Sequence, residues 1–138
     1  MPILDEAAAV ALLAGSRRIA IVGASPDPSR PSHGVMRTLL AAGYDCVPVN
    51  PTCDTVLGVA AYPTLEAATE ATRRFDIVDV FRRPEHTPEV ARSAVAVGAG
   101  SLWLQLGVVN WEAARIANDA GLPVVMDRCT AIDLRVTR

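Results

Sequence analysis

Hydrophobic residues in this chain fall in short unbroken runs and do not alternate with polar ones. Arg18-Ile-Ala-Ile-Val22 stops at Gly23, residues 46–49 stop at Asn50-Pro51, and three further runs cover residues 77–81, 102–106 and 124–126. A run that is apolar at odd and even positions alike predicts a strand buried on both faces. Between the runs the period changes to that of a helix. Val35, Met36, Leu39 and Leu40 share one face closed by Gly43, and a helix over 65–73 can be capped by Thr64. Another has Thr87 as N-cap, Pro88 first and Gly98 as terminator. A last one starts at Asn110, turns Ala113, Ala114, Ile116, Ala117 and Ala120 inward, and ends at Gly121. An alanine-rich lead-in helix over 4–14, within a lead-in segment 1–16, and a polar tail over 128–138 flank the pattern.

Strands that alternate with helices and are apolar throughout imply a parallel sheet covered on both sides. The expected fold class is therefore α/β: a doubly wound, Rossmann-like sheet in three αβα layers, as a single domain over residues 1–138. Pro48 inside the second run is an objection, since proline cannot donate to a ladder. A short neighbouring strand around Gly58 would remove it, within an order 3-2-1-4-5.

Composition narrows the function. The 138 residues are 51% hydrophobic, with a net charge of −2 and a pI of about 5.6. No basic field is available to hold a nucleic-acid backbone or an anionic membrane. All 13 cations are arginine, which excludes a Walker A loop, a Schiff-base lysine and a receiver-type phosphate lysine. Cys46, Cys53 and Cys129 have no CxxC spacing, and His33 and His86 form no zinc cluster, so a reducing, cytoplasmic setting and no metal site are expected. The opening residues, with Asp5, Glu6 and a short alanine run, fit neither a signal peptide nor a membrane span.

In an open parallel sheet, ligands bind at the carboxyl ends of the strands where strand order reverses. Here that point lies between the end of the first strand and the strand ending at Phe81, with Asn50-Pro51 and Gln105 alongside. Gly23-Ala24-Ser25 reads either as a phosphate-binding loop or as an ordinary strand-to-helix turn. A dinucleotide fingerprint is missing: there is no Gly-x-Gly-x-x-Gly here and no carboxylate at the tip of the second strand for a ribose. Gly98-Ala-Gly100 precedes a strand and reads as a helix-ending turn. Arg30, Arg82 and Arg83 bring three permanent cations to the same crevice, the chemistry of a ligand with several phosphates. Asp79 is expected to brace a loop, Trp103 to pack, and His33 and His86 to be solvated or capping. Cys129 is expected to be inert and far from the reversal point.

Several motifs in fixed order, Gly23-Ala-Ser-Pro26 with Arg30-Pro-Ser, Val47-Pro-Val-Asn-Pro51, Asp79-Val-Phe-Arg-Arg83, Trp103-Leu-Gln-Leu-Gly107 and Asp127-Arg-Cys129, together resemble the small CoA-binding protein family. The likeness runs from about Arg18 to Ile132. More distantly the chain is similar to the N-terminal domain of the succinyl-CoA synthetase alpha subunit. The resemblance implies a ligand, coenzyme A or an acyl-CoA, whose diphosphate meets Gly23, Ala24, Ser25 and Pro26. Asn50 and Pro51 would border the adenosine, and Phe81, Arg82 and Gln105 the rest of the crevice. Where the synthetase domain has a lysine after the proline of its second strand, this chain has Cys53. With no space for the synthetase's phosphohistidine region or nucleotide-grasping domain, the expectation is binding without autonomous catalysis, as a sensor or a detached part of an acyl-transfer system. The rival reading is an NAD(P)-binding enzyme or redox-sensing subunit, and a third is a thioester-processing enzyme using His33 or Cys129.

Overall fold

The computed structural model describes residues 3–135. In chain order it contains α1 (Glu6–Ala14), β1 (Arg18–Val22), α2 (Pro31–Ala41), β2 (Asp45–Val49), β3 (Thr55–Val56), β4 (Val59–Ala60), α3 (Leu65–Ala71) and β5 (Ile77–Val80). It continues with a 3-10 turn (Pro84–His86), α4 (Thr87–Ala96), β6 (Leu102–Leu104), α5 (Trp111–Asp119), β7 (Val124–Val125) and α6 (Thr130–Leu134). The uniformly apolar runs form one parallel five-stranded sheet in the order β2-β1-β5-β6-β7.

Strand parity divides the core into two layers. Ala20, Val22, Val78, Val80, Leu102, Leu104 and Val124 face one side, against α3, α4 and α5. Ile19, Ile21, Ile77, Trp103 and Val125 face the other, against α1, α2 and α6. Both faces are covered, so no strand position can be polar without a partner. Each fully buried leucine or isoleucine contributes about 1.5–3 kcal/mol relative to exposure.

Side-chain caps start three of the six helices of the described residues. Asp5 and Thr64 accept the N–H of Ala8 and Ala67 at 2.9 and 3.0 Å, and Asn110 accepts that of Ala113 at 2.9 Å. Thr87 departs from expectation: its hydroxyl donates to the Pro84 carbonyl at 2.7 Å and caps nothing. Pro84 starts a helical turn earlier than the pattern indicates, and Thr87 is drawn into the helix.

The segment around Gly58 is an antiparallel β3–β4 hairpin and not a third strand of the sheet. Its two-residue turn, Leu57-Gly58, has positive φ at both positions, 52° and 77°, as a type I′ turn demands. The edge of β2 is met by a single parallel bridge from Val49 to Tyr62. This also answers the objection of Pro48. Its carbonyl accepts the Tyr62 N–H at 3.1 Å, so Pro48 faces away from β1 and its missing N–H costs no bond in the β1–β2 ladder.

Part of the expected polar tail is structured. Thr130–Leu134 is the short helix α6, packed against α1 and α2. Arg128 reaches both oxygens of Asp133, at 2.8 and 2.7 Å, and one of Glu6 at 3.3 Å. The first two residues of the lead-in segment and the last three of the tail lie outside the described residues.

A candidate nucleotide cleft at the strand switch point

Strand order reverses between β1 and β5, and the chain is open above that pair. Two adjoining clefts, of about 670 and 660 Å³, share Gly23, Asn50, Phe81 and Arg82 as their common wall. The first extends over the starts of α3 and α4, past Pro51, Thr64, Glu66, Glu89 and Ser93. The second extends over the N-terminus of α2, the loop after β6 and the segment that follows β7, past Ser25, Arg30, Arg83, Gln105, Val108 and Cys129. Of the residues expected at the site, only Pro26 borders neither cleft; it is exposed.

Gly23 sets the geometry of the shared wall. It has φ +86°, and a Cβ there would lie 2.5 Å from the Phe81 carbonyl oxygen. Only glycine allows the β1 loop and the end of β5 to approach so closely. The Gly23 N–H donates to Val49 at 3.1 Å and the Phe81 N–H to Val22 at 2.8 Å, so three strand tips are tied at one point.

Side chains stiffen the loop beyond Gly23. The Asp27 N–H donates to the Ser25 hydroxyl at 3.1 Å, and Asp27 accepts the Ser29 N–H at 2.9 Å. Asn50 works from the neighbouring strand tip. Its amide donates to the Ala24 carbonyl at 2.7 Å while its oxygen accepts from Thr52. Among the described residues the N–H groups of Ala24 and Ser25 have no acceptor, the condition in which a loop of this kind receives an anion. Arg30, Arg82 and Arg83 form no ion pair among the described residues.

Under the second cleft lies a network that sequence patterning indicated only as an anomaly in β5. Asp79 is fully buried. It accepts the Gln105 amide at 2.5 Å and the Thr130 hydroxyl at 2.9 Å, and that amide also reaches Thr130 at 3.0 Å. Burial pushes the Asp79 carboxyl up to about 7, against the opposing pull of Gln105 and Thr130. Gln105 thus borders the cleft with its amide turned into the protein. Asp79 does brace, and what it joins is the β6 loop and the start of α6.

Two expectations are corrected here. Cys129, expected far from the reversal point, lines the second cleft, because the chain turns back over β6 after β7. Asp127, with φ +58°, accepts the Gly107 N–H at 2.7 Å at that turn, and the Arg128 backbone carbonyl accepts the Trp103 indole N–H at 2.7 Å. His33, expected to be solvated or capping, is 8% exposed, and its Nδ1 is buried without a hydrogen-bond partner among the described residues. The α3 and α4 walls of the first cleft were not anticipated. The Thr64 cap that marks one of them is legible, but nothing local says that this cap stands beside the β2 tip.

A doubly wound sheet whose switch point carries a glycine loop, with N–H groups and arginines left unpaired among the described residues, defines a nucleotide-binding type of α/β domain. The chain belongs to the CoA binding domain family, which it matches over residues 17–135. It is 42% identical over 127 residues to the uncharacterised protein YneT of Bacillus subtilis, covering 92% of each chain. A solved structure of a hypothetical protein from Pyrococcus horikoshii superposes with a TM-score of 0.90 at 36% identity, over 97% of this chain and 92% of that one. The dinucleotide-forming acetyl-coenzyme A synthetase 1 of Candidatus Korarchaeum cryptofilum shares the fold, with a TM-score of 0.70 at 24% identity over 80% of this chain and 26% of that protein. No helix among the described residues is long and apolar enough to cross a membrane.

Proposed function

We propose that this chain is a binding module for coenzyme A or an acyl-CoA, seated across the two clefts at the carboxyl ends of the strands. The observation that carries the reading is the shared wall of Gly23, Asn50, Phe81 and Arg82, beside Ala24 and Ser25 N–H groups and arginine charges that have no partner among the described residues. In this reading the N–H groups of Ala24 and Ser25 receive the diphosphate, Arg30, Arg82 and Arg83 neutralise phosphate charge, and Asn50 and Pro51 border the adenosine. Pro26 contributes the shape of the loop and no direct contact. Membership of the CoA binding domain family supports the same ligand class.

Binding without turnover is part of the proposal. Among the described residues neither the Cys129 thiol nor the His33 ring is hydrogen-bonded to another titratable side chain, as an activated nucleophile and its base would be. We place the protein in the cytoplasm, away from nucleic acid and membrane, passing its ligand to or sensing it for an acyl-transfer system. NAD(P) is disfavoured because the β2 tip carries Asn50, whose side chain is already engaged by Ala24 and Thr52.

Calorimetric titration with CoA, and with NAD and AMP in parallel, tests this. CoA should bind with an affinity that Arg82→Ala lowers about tenfold, the loss of one charge-assisted contact, while NAD binds weakly or not at all. Absence of heat from CoA at millimolar concentration would remove the reading.

A further inference from the structure

We infer that Asp79 is a positioning residue for the ligand and acts through Gln105. Ionised, it holds the Gln105 amide nitrogen inward and leaves the carbonyl oxygen Oε1 in the second cleft, to accept an N–H of the ligand. Protonated, it turns the amide over. The inference rests on the CoA reading above, whose ligand carries amide groups in its pantetheine arm. Of the two side-chain amides lining this cleft, Asn50 has its oxygen taken by Thr52. Gln105 has its nitrogen taken, by Asp79 at 2.5 Å and Thr130 at 3.0 Å. Its Oε1 is hydrogen-bonded to nothing among the described residues and is not among the fully buried unpaired atoms. Gln105 is 4% exposed, so that oxygen is the part of it the cleft meets. The charged side chains around it, Arg30, Arg82 and Arg83, are all donors, which leaves the N–H of a ligand amide in need of an acceptor. The place fits as well. Gln105 follows β6, two strand positions and thus about 10 Å from β1, where the pantetheine arm runs when the diphosphate sits on the β1 loop.

Counting hydrogens gives the direction. An ionised carboxylate only accepts. Here it takes a Gln105 N–H and the Thr130 O–H, while Thr130 accepts the other amide hydrogen, so every inward hydrogen has its own oxygen. A proton on Asp79 adds a hydrogen to a ring whose oxygens are all occupied. A half-turn of the Gln105 amide removes the conflict, with Oε1 inward on the Asp79 O–H and the NH2 outward, where it opposes a ligand N–H. The two amide orientations have nearly the same shape, so the turn disturbs no packing. Burial places the titration of Asp79 at about 7, against the pull of Gln105 and Thr130. Its strand neighbours Ile21 and Trp103 carry no charge. Cys46 on β2 is pushed up to about 12, by burial first and then by Asp79 and Asp45, and stays a thiol. His33 on α2, the Arg128–Asp133 pair beside α6, and Cys129, Arg30, Arg82 and Arg83 of the cleft add nothing to the Asp79 shift.

The test is the CoA affinity of the full chain as wild type, Asp79→Asn and Gln105→Met between pH 5 and pH 8. It is read as the ratio of wild type to variant, so that the ligand's own phosphate titration cancels. The asparagine amide donates as the protonated acid does, and methionine keeps the volume of Gln105 without either end of its amide. At pH 8 the wild type should bind about fivefold more tightly than each variant, the worth of one hydrogen bond, and the ratio should fall towards 1 at pH 5. In the ligand-free wild type the nitrogen resonance of the Gln105 side chain should shift with the same midpoint, and it should stay fixed in Asp79→Asn. A ratio that is constant with pH makes Asp79 structural only and overturns the inference while the CoA reading stands. So does a ratio that grows towards pH 5, or a Gln105 resonance that ignores the titration of Asp79. Where Asp79→Asn fails to fold, the Gln105→Met ratio and the wild-type resonance decide. Absence of CoA binding by the wild type at every pH removes both readings.

Discussion

The two ends of the parallel sheet use the same residue type in opposite ways. At the amino end, Arg18 is 8% exposed and fully employed. It pairs with Asp45, donates to the Thr72 hydroxyl at 2.7 Å and to the Arg74 carbonyl at 3.1 Å, and lies 4.7 Å from the centre of the Phe75 ring. At the carboxyl end, Arg30, Arg82 and Arg83 stand around open clefts and form no ion pair among the described residues. An arginine engaged at every guanidinium nitrogen holds the fold together, and one without an ion-pair partner is available to a ligand.

The two aspartates near the ends of β5 repeat the contrast. Burial raises the Asp76 carboxyl, but the N–H groups of Arg18 and Arg17 and the charges of Arg74 and Arg18 outweigh it, leaving its pKa lowered. Asp79, three residues later, is buried with only neutral partners and is raised to about 7. One end of the strand is built for a charge, the other for a proton.

The largest expected effect separates these two residues. Because the folded-state pKa of Asp79 lies above its unfolded value, the folded protein keeps a proton that the unfolded chain releases as pH rises from about 4 to about 7. The stability this group contributes is complete below the unfolded pKa and is lost across that window, on the order of 4 kcal/mol in all. Asp76 works with the opposite sign, its contribution being present above pH 4 and lost below it. Urea denaturation between pH 3 and pH 8 should show a fall on both sides, and Asp79→Asn should flatten the upper limb only. An unchanged upper limb in that variant would show that Asp79 keeps an ordinary pKa.

Next in size is Arg18→Ala. It should cost about 3 kcal/mol, below the upper range for a broken buried pair because Asp45 is half exposed and regains water. CoA affinity should not change, because Arg18 stands at the opposite end of the strands. A weakened affinity in a fully folded sample would mean that the two ends are coupled and the division proposed here is wrong. Gly23→Ala should cost a similar amount, about 3 kcal/mol, because a methyl group at positive φ is forced against the Phe81 backbone carbonyl, which has to move. The variant's CoA affinity should fall more than tenfold, since the β1 loop must shift. If chemical denaturation shows the loss of stability while calorimetry shows CoA affinity intact, the diphosphate does not sit on this loop.

Much of the molecule was legible because strand burial and helix capping are local. Five apolar runs became five strands, and the caps at Thr64 and Asn110 lie where expected. The reversal point, and with it Gly23, Asn50, Phe81 and Arg82, followed from topology once the alternation of strand and helix was read. Asp79 stood out as a carboxylate in an apolar run, but its partners, 26 and 51 residues further along the chain, have no local signature. The hairpin at Leu57-Gly58 was misplaced because a leucine at positive φ is tolerated only where its neighbours compel it.

The sequence alone determined what periodicity and residue chemistry can encode: an α/β sheet covered on both faces, a lysine-free set of cations, and a glycine loop followed by arginines at strand ends. Tertiary structure decided what depends on chain reversal. It brought Cys129 back over β6 to the cleft, folded residues 130–134 into a helix beneath α1 and α2, buried His33, and set the starts of α3 and α4 beside the β2 tip. The physical reason is that hydrophobic burial constrains which face of an element turns inward, whereas the neighbours an exposed loop acquires depend on where every other strand has been laid.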